Sequence, residues 1–374
     1  MKVLITGGAG FIGSHTADTL LRDGFAVRVL DSLEEPVHPG HRVPEYLDPR
    51  IEFVRGDVRD EKVLLDALRG SDYVYHFAAF QDYLPTFSRF FDVNVTSTAL
   101  IYELIVREKL PVKKVIVASS QAALGEGLYH DAAGRPVLPD IRPAAQLDRG
   151  EWEVATPSGF AGPLCWQPTD ETVANPQNQY GLSKIAEERV ALSLGKRYEI
   201  PTVAMRYSIV QGPRQSFYNA YSGACRVFCL SFHQQQQPMI FEDGQQIRDF
   251  VNIHDVVDAN LLVLRDPRAD FEMFNVGGDK PYTVMQFAIA VSEVFGTHDY
   301  VPTPSGKYRF GDTRHICSDV SKLKRLGWRP SHSIYDSVEA YKGWLATASN
   351  AGDILDYCNR QMMQLNVVRE VGAK

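Results

Sequence analysis

The stretch Lys2-Val3-Leu4-Ile5-Thr6-Gly7-Gly8-Ala9-Gly10-Phe11-Ile12-Gly13 decides the fold. A short strand runs into a glycine-rich turn, and the turn opens a helical pattern whose inner face is marked by Ile12, Thr16, Thr19 and Leu20 and whose end is marked by Gly24. Glycines at 7, 10 and 13 permit a tight turn, close approach of backbone to a pyrophosphate, and close packing of helix on strand. Cofactor contacts are therefore expected from Gly7, Gly10, Phe11, Ile12 and Gly13. The next strand, Ala26-Val27-Arg28-Val29-Leu30, ends in Asp31, followed by Ser32. A carboxylate there binds adenosine ribose hydroxyls and repels a 2′-phosphate. No arginine follows closely, so the pattern predicts NAD rather than NADP.

Strand and helix then alternate, which predicts an α/β fold with a doubly wound parallel sheet of Rossmann type. Residues 51–54 form a strand leading to Gly56-Asp57-Val58, with Asp57 and Val58 expected at the cofactor, and a helix covers 61–68. Tyr73-Val74-Tyr75-His76-Phe77-Ala78-Ala79 is the next strand; Phe77, Ala78 and Ala79 lie where a cofactor approaches. A long helix over 87–109 contains Asn94. Lys114-Val115-Ile116-Val117-Ala118-Ser119-Ser120 follows, and because open parallel sheets bind ligands beyond the carboxyl ends of their strands, Ser119 and Ser120 fall where chemistry is expected. The strand 201–206 reads as the last of the cofactor sheet.

Before that strand lies Gln179-Tyr180-Gly181-Leu182-Ser183-Lys184, at the head of a helix running to about residue 198. Residues four apart share a helical face, so Tyr180 and Lys184 address one ligand. A phenol with a reference pKa near ~10 is a poor base at neutral pH, and a nearby ammonium favours its phenolate. A Y-x-x-x-K spacing is common on solvated helices, and it is the surrounding sheet pattern that turns it into a site.

Net charge is 39 − 46 = −7 with no basic run, which argues against nucleic acid or an anionic membrane as partner. The apolar run at residues 1–6 is too short for a signal peptide, and no stretch approaches a membrane span, so a cytoplasmic protein is expected. Five cysteines (Cys165, Cys225, Cys229, Cys317, Cys358), odd in number and without C-x-x-C pairing, argue against a disulfide framework or a metal site. Cys225 and Cys229 read as buried core thiols.

The chain divides into a cofactor domain over 1–206, to which 250–270 returns, and a smaller, discontinuous substrate domain over 207–249 and 271–374. An insert at about 125–175 is too long for a plain loop and reads equally well as a lid or a decoration, with Trp152, Phe160 and Trp166 expected to form its own apolar cluster. Gln234 to Gln237 reads as a loop, and the last thirty residues as a peripheral helix.

Together these pieces resemble the extended short-chain dehydrogenase/reductase family, within it the nucleotide-sugar epimerases and dehydratases. The resemblance spans residues 1–345 and rests on the glycine turn, Asp31, Gly56-Asp57-Val58, Asn94, Ser120, Tyr180, Lys184, Arg248-Asp249-Phe250-Val251 and Leu326-Gly327-Trp328. It implies Tyr180 as acid/base, Ser120 as hydrogen-bond donor to the reacting oxygen, Lys184 on the nicotinamide ribose and lowering the tyrosine pKa, and Asn94 as a support of the cofactor site. It places Gln81, Ser120, Gln121, Ser208, Arg248, Arg309 and Asp312 at the substrate, a nucleotide-diphosphate sugar, with NAD tightly bound in a homodimer. Relatives that remove water carry an Asp-Glu pair after the catalytic hydroxyl; Gln121 and Ala122 stand there instead and cannot carry that proton traffic. Gln81 lies near where galactose 4-epimerases place a lysine. The run 118–127 and the insert are more similar to the bacterial dTDP-L-rhamnose 4-epimerases, which implies 4-epimerisation through a transient 4-keto sugar. Another nucleotide-sugar epimerase, a 4-ketoreductase and a non-catalytic NAD-sensing scaffold are the alternatives.

Overall fold

A computed structural model describes residues 1–82, 85–219, 223–297, 301–347 and 368–372. Its centre is a sheet of seven parallel strands: β1 (Lys2–Thr6), β2 (Ala26–Asp31), β3 (Glu52–Arg55), β4 (Tyr73–His76), β5 (Lys114–Ser120), β6 (Thr202–Tyr207) and β7 (Glu272–Val276). They lie in the order β7-β6-β5-β4-β1-β2-β3. Parallel pairing requires crossovers, and the sequence supplies helices for them: α1 (Phe11–Arg22), α2 (Glu61–Leu68), α3 (Ser97–Arg107), α4 (Gln179–Arg197) and α5 (Ile253–Arg265). Both faces of the sheet are covered, so the strands are apolar on both sides. Val3 and Ile5 enter one core and Leu4 the other, as do Ile116 and its neighbours Val115 and Val117. The chain reverses direction across the sheet between β1 and β4, and the crevice at their carboxyl ends is where such folds bind ligands.

Two expectations are corrected here. The cofactor sheet does not end with the strand at 201–206: β7 adds outside β6, with Phe274 opposite Met205. A helix returning to a parallel sheet has to deliver another strand, and α5 delivers this one, so residues 272–276 belong to the sheet and not to the smaller domain. On α1, Thr16, Ala17 and Leu20 are buried, but Thr19 stays half-exposed with its hydroxyl on the His15 carbonyl.

The smaller unit has a three-stranded sheet of Ile209–Gln211, Ile247–Asn252 and Pro281–Thr283, under helices Ala224–His233, Val284–Phe295 and Ile334–Leu345. Phe228, Phe232, Phe250, Phe287, Val291 and Val338 fill its core, with the Phe250 and Phe287 rings stacked at 4.3 Å. Cys225 and Cys229 are buried there, free, with sulfurs 3.9 Å apart.

The insert has a three-stranded sheet of Leu128–His130, Pro136–Val137 and Cys165–Gln167 and a short helix, Ala144–Leu147. Its ends meet where the Asn175 amide donates to the Ala123 carbonyl, and a Cβ on Gly125 would fall 1.7 Å from the Asn175 oxygen. Trp152, Phe160 and Trp166 do not cluster. Trp152 packs on Tyr308 and Trp166 lies 6.3 Å from His315, both outside the insert, while Phe160 is exposed under Arg135 of the insert itself. The expected C-terminal helix lies largely outside the described residues; Val368–Glu370, however, pairs antiparallel with Lys307–Arg309. Among the described residues no helix is long and apolar enough to cross a membrane.

Candidate active site

The glycine turn has three glycines for three reasons. Gly7 has φ of +66°, and a Cβ there would lie 2.6 Å from the Ala78 nitrogen, so the turn lies directly against the end of β4. A Cβ on Gly13 would meet the Gly7 carbonyl oxygen at 2.5 Å, which fixes how closely α1 sits on the turn. Gly10, the N-cap of α1, is different. Its φ of −75° suits any residue, and a Cβ there would meet only the Gly7 oxygen, at 3.3 Å. The protein itself therefore hardly demands glycine at position 10, and no side chain caps the helix. Space and a positive helix end at one spot fit an approaching pyrophosphate.

Asp31 ends β2 beside this turn, buried, accepting from the Ala9 amide at 3.0 Å and the Leu33 amide at 2.9 Å. Ser32 is half-buried beside it, and His38 lies 3.7 Å from the carboxylate. The segment after β2 is fastened across the turn: Tyr46 donates to the Ala9 carbonyl, Arg214 lies 4.9 Å over the Tyr46 ring, and Ser216 donates to the Pro36 carbonyl. Asp57 is held by Arg59 at 2.6 Å and Val58 is buried. Phe77 and Ala78 are half-buried at the end of β4, while Ala79 and Gln81 are exposed. Asn94 lies in one π-helical turn, Asp92–Thr96, that interrupts the long helix; its amide brackets the Phe80 backbone and donates to Ser183, bracing the loop after β4 against α4.

Neighbouring residues of a strand face opposite ways, and this separates Ser119 from Ser120. The Ser119 hydroxyl donates to Glu188 at 2.8 Å, joining a fully buried pair with Arg206, so its side chain is turned away from the crevice. Ser120 faces α4, accepts from the Ala122 amide and hydrogen-bonds the Tyr180 hydroxyl. Lys184 is buried, its Nζ 5.8 Å from the Tyr180 ring centre, donating to the Ala118 carbonyl at 2.7 Å and to Glu187 at 2.6 Å.

Lys184 pulls the tyrosine pKa down, as expected, but burial sets the direction of the net shift. Burial raises Tyr180 above its ordinary value and outweighs the opposing pull of Lys184 and the Ser120 hydrogen bond, while Glu187 adds to the rise. Burial works against the Lys184 charge, but Glu187, Tyr180 and Glu188 together more than offset it and raise its pKa. Burial pushes Glu187 up to about 7 against the pull of Lys184. Glu187 was not singled out from the sequence. Two adjacent acids in mid-helix read as a solvated face, and the available signal is the spacing of three from Lys184.

Of the expected substrate residues, Gln121 does not line an open pocket. It is buried, its amide donating to Asp249 and, at 2.8 Å, to Ser318, because the end of β5 lies under the smaller unit. Arg309 and Asp312 are bound to each other at 2.6 Å. The Ser208 hydroxyl is buried without a hydrogen-bond partner. Arg248 donates to the carbonyls of Ile247, Thr313 and Arg314, and among the described residues no carboxylate lies within ion-pair distance of it. Burial lowers its pKa and outweighs the opposing pull of the more distant carboxylates Asp312, Glu126 and Glu242.

A hydroxyl proton can be moved between Tyr180 and a bound alcohol while Ser120 holds the same oxygen, next to a turn shaped for a pyrophosphate; this is the chemistry of a dinucleotide-dependent enzyme acting on a hydroxyl or carbonyl carbon. Residues 3–140 and 155–277 match the NAD dependent epimerase/dehydratase family. The chain is 32% identical over 355 residues to the dTDP-L-rhamnose 4-epimerase of Burkholderia thailandensis, spanning 92% of this chain and 95% of that protein. Among solved structures, the UDP-glucose 4-epimerase of Thermotoga maritima with UDP-glucose is 28% identical with a TM-score of 0.73, covering 92% of this chain and 99% of that one. The UDP-glucose 4-epimerase of Thermus thermophilus with NAD is 26% identical with a TM-score of 0.72, covering 93% and 100%. The chain belongs to the NAD dependent epimerase/dehydratase family; it is an enzyme, and NAD is its cofactor.

Proposed function

We propose that the enzyme is a 4-epimerase of a nucleotide-diphosphate sugar, converting dTDP-L-rhamnose to dTDP-6-deoxy-L-talose through a transient 4-keto sugar. The observation that carries this reading is the Tyr180 hydroxyl hydrogen-bonded to Ser120, with Gln121 and Ala122 following. One oxygen is served for proton transfer, and neither of the next two side chains can act as the acid and base that loss of water needs.

NAD, when bound, would supply the hydride acceptor for carbon 4 and the donor for the hydride's return. Gly10 and the first turn of α1 would hold its pyrophosphate, Asp31 its adenosine ribose, and Lys184 its nicotinamide ribose. Tyr180 takes the proton from the 4-hydroxyl and gives it back after the sugar has turned its other face, and Ser120 steadies the oxygen in both states. Because the sugar must turn while the nucleotide stays, binding energy belongs in the diphosphate. Arg248, half-buried and with no carboxylate within ion-pair distance among the described residues, is the group whose environment a diphosphate completes.

The clasp of Tyr46, Arg214 and Ser216 over the turn supports tightly held NAD.

The test is incubation of purified enzyme with dTDP-L-rhamnose and no added NADH, with the product sugar identified by NMR. Appearance of the 4-epimer is expected. Exchange of UDP-glucose with UDP-galactose alone rejects the substrate and keeps the mechanism, while stoichiometric NADH consumption makes the enzyme a 4-ketoreductase.

A further inference from the structure

The insert and the C-terminal strand both end up on one stretch of chain, residues 306–315. Little regular structure holds this stretch: apart from the strand Lys307–Arg309 and a single bridge from His315 to Ile247 it is turn and loop. Yet it carries Arg309 and Asp312, and its Thr313 and Arg314 carbonyls are the acceptors that fix the Arg248 guanidinium.

The insert grips it at several points. Glu126 accepts from the Arg314 and His315 amides and from the Tyr129 hydroxyl. Arg142 donates to the Asp312 carbonyl at 2.8 Å and forms a two-pronged pair with Glu242, both side chains 2% exposed. Asp148 accepts from the Tyr308 hydroxyl, and its carbonyl accepts from Gly372. Arg314 closes the cluster, binding Glu242 at 3.0 Å, Asp243 at 2.7 Å and Glu153 at 2.6 Å. From the other side, Val368–Glu370 pairs residue by residue with Lys307–Arg309, and Val371 donates to the Gly306 carbonyl.

Burying so many charges stabilises little on balance, since removing each from water costs about what the pairing returns. What such a cluster does supply is fixed position. A diphosphate is gripped tightly only if the guanidinium groups are placed before it arrives, and misplacement by about 1 Å is costly. We propose that the insert and the C-terminal strand together form a positioning frame for the arginines that grip the nucleotide diphosphate, with Arg142 as its central positioning residue. This rests on the reading that Arg248 and Arg309 face the diphosphate. Glu153 of the same frame also binds His315 at 3.1 Å, but it is the exposed member and not the anchor.

The experiment uses the full-length enzyme and four variants: Arg142→Met, Arg142→Lys, deletion of residues 368–374, and Arg248→Ala as control. Each is titrated with free dTDP and with UDP, and assayed for KM, kcat, NAD content and Tm. Arg142→Met and the deletion are expected to raise the dissociation constant of the diphosphate and KM together, by about fivefold or more, with kcat and NAD content within about twofold. Arg142→Lys should recover part of the loss. Unchanged diphosphate affinity in Arg142→Met and the deletion, alongside weakened binding in Arg248→Ala, overturns the frame and leaves the diphosphate reading standing. So does a fall in Tm and NAD content that accounts for the whole effect. If Arg248→Ala itself binds both diphosphates normally, the reading beneath the proposal fails and the frame with it.

Discussion

In the proposed reaction the buried Tyr180 gives up a proton, and burial makes that harder while Lys184 and Ser120 make it easier. Tyr180→Phe keeps the ring and the packing while deleting the acid/base; turnover is expected to fall by at least ~100-fold with NAD still bound, measured as exchange rate and as nucleotide released on denaturation. Glu187 is the finer control. It raises the tyrosine pKa directly and holds the ammonium that lowers it. Replacing it by Gln removes a negative charge while Tyr180 and Glu188 still favour the Lys184 ammonium, so the phenolate forms at lower pH and the acid limb of the kcat profile should move down in pH. A limb that stays put would show that Glu187 does not act through Tyr180. Tyr180, Lys184 and Ser120 were legible because chemistry of this kind needs particular groups at particular spacings. Glu187 and Glu188 were not, since an acid's burial depends on partners such as Arg206, eighteen positions further on, that no local pattern reveals.

At the level of elements, α1 is positioned by the absence of side chains. Gly13→Ala would set a methyl against the Gly7 carbonyl and push the helix off the turn, a strain of about 1–3 kcal/mol expected as a lower Tm and lost NAD. Gly10→Ala, with a single contact at 3.3 Å, should cost little stability while still weakening NAD, which thermal melts with and without cofactor can separate. The strand-turn-helix order of the first half was readable because each element carries its own period and its own punctuation. β7 was missed because Glu272–Val276 is short and follows a helix already assigned to the sheet, and only pairing with β6 shows where it belongs. The insert's aromatic residues misled for a related reason: a sequence shows three rings but not which of them are covered, or by what.

Across the whole molecule the two units meet at Gln121, Asp249 and Ser318. Burial pushes the Asp249 carboxyl up to about 7, opposed by the hydrogen bond from Gln121. A group raised in the folded state favours folding at acid pH and loses that contribution as pH rises through about 7; for a carboxyl ordinarily near 3.8 this is on the order of 4 kcal/mol. Asp249→Asn lacks this dependence. The Tm of the parent relative to the variant is therefore expected to decline steadily between pH 4 and pH 8, and a constant difference would place the carboxyl's titration elsewhere. Such junctions are invisible in sequence, because they join residues more than a hundred positions apart. The clasp over the glycine turn also joins the two units, through Tyr46, Arg214 and Ser216. A cofactor beneath it leaves only when the halves part, and a reaction that returns the cofactor to its starting state each cycle never requires that. For the epimerisation proposed above, turnover would then run independently of the surrounding balance of oxidised and reduced pyridine nucleotide, with flux following the supply of sugar.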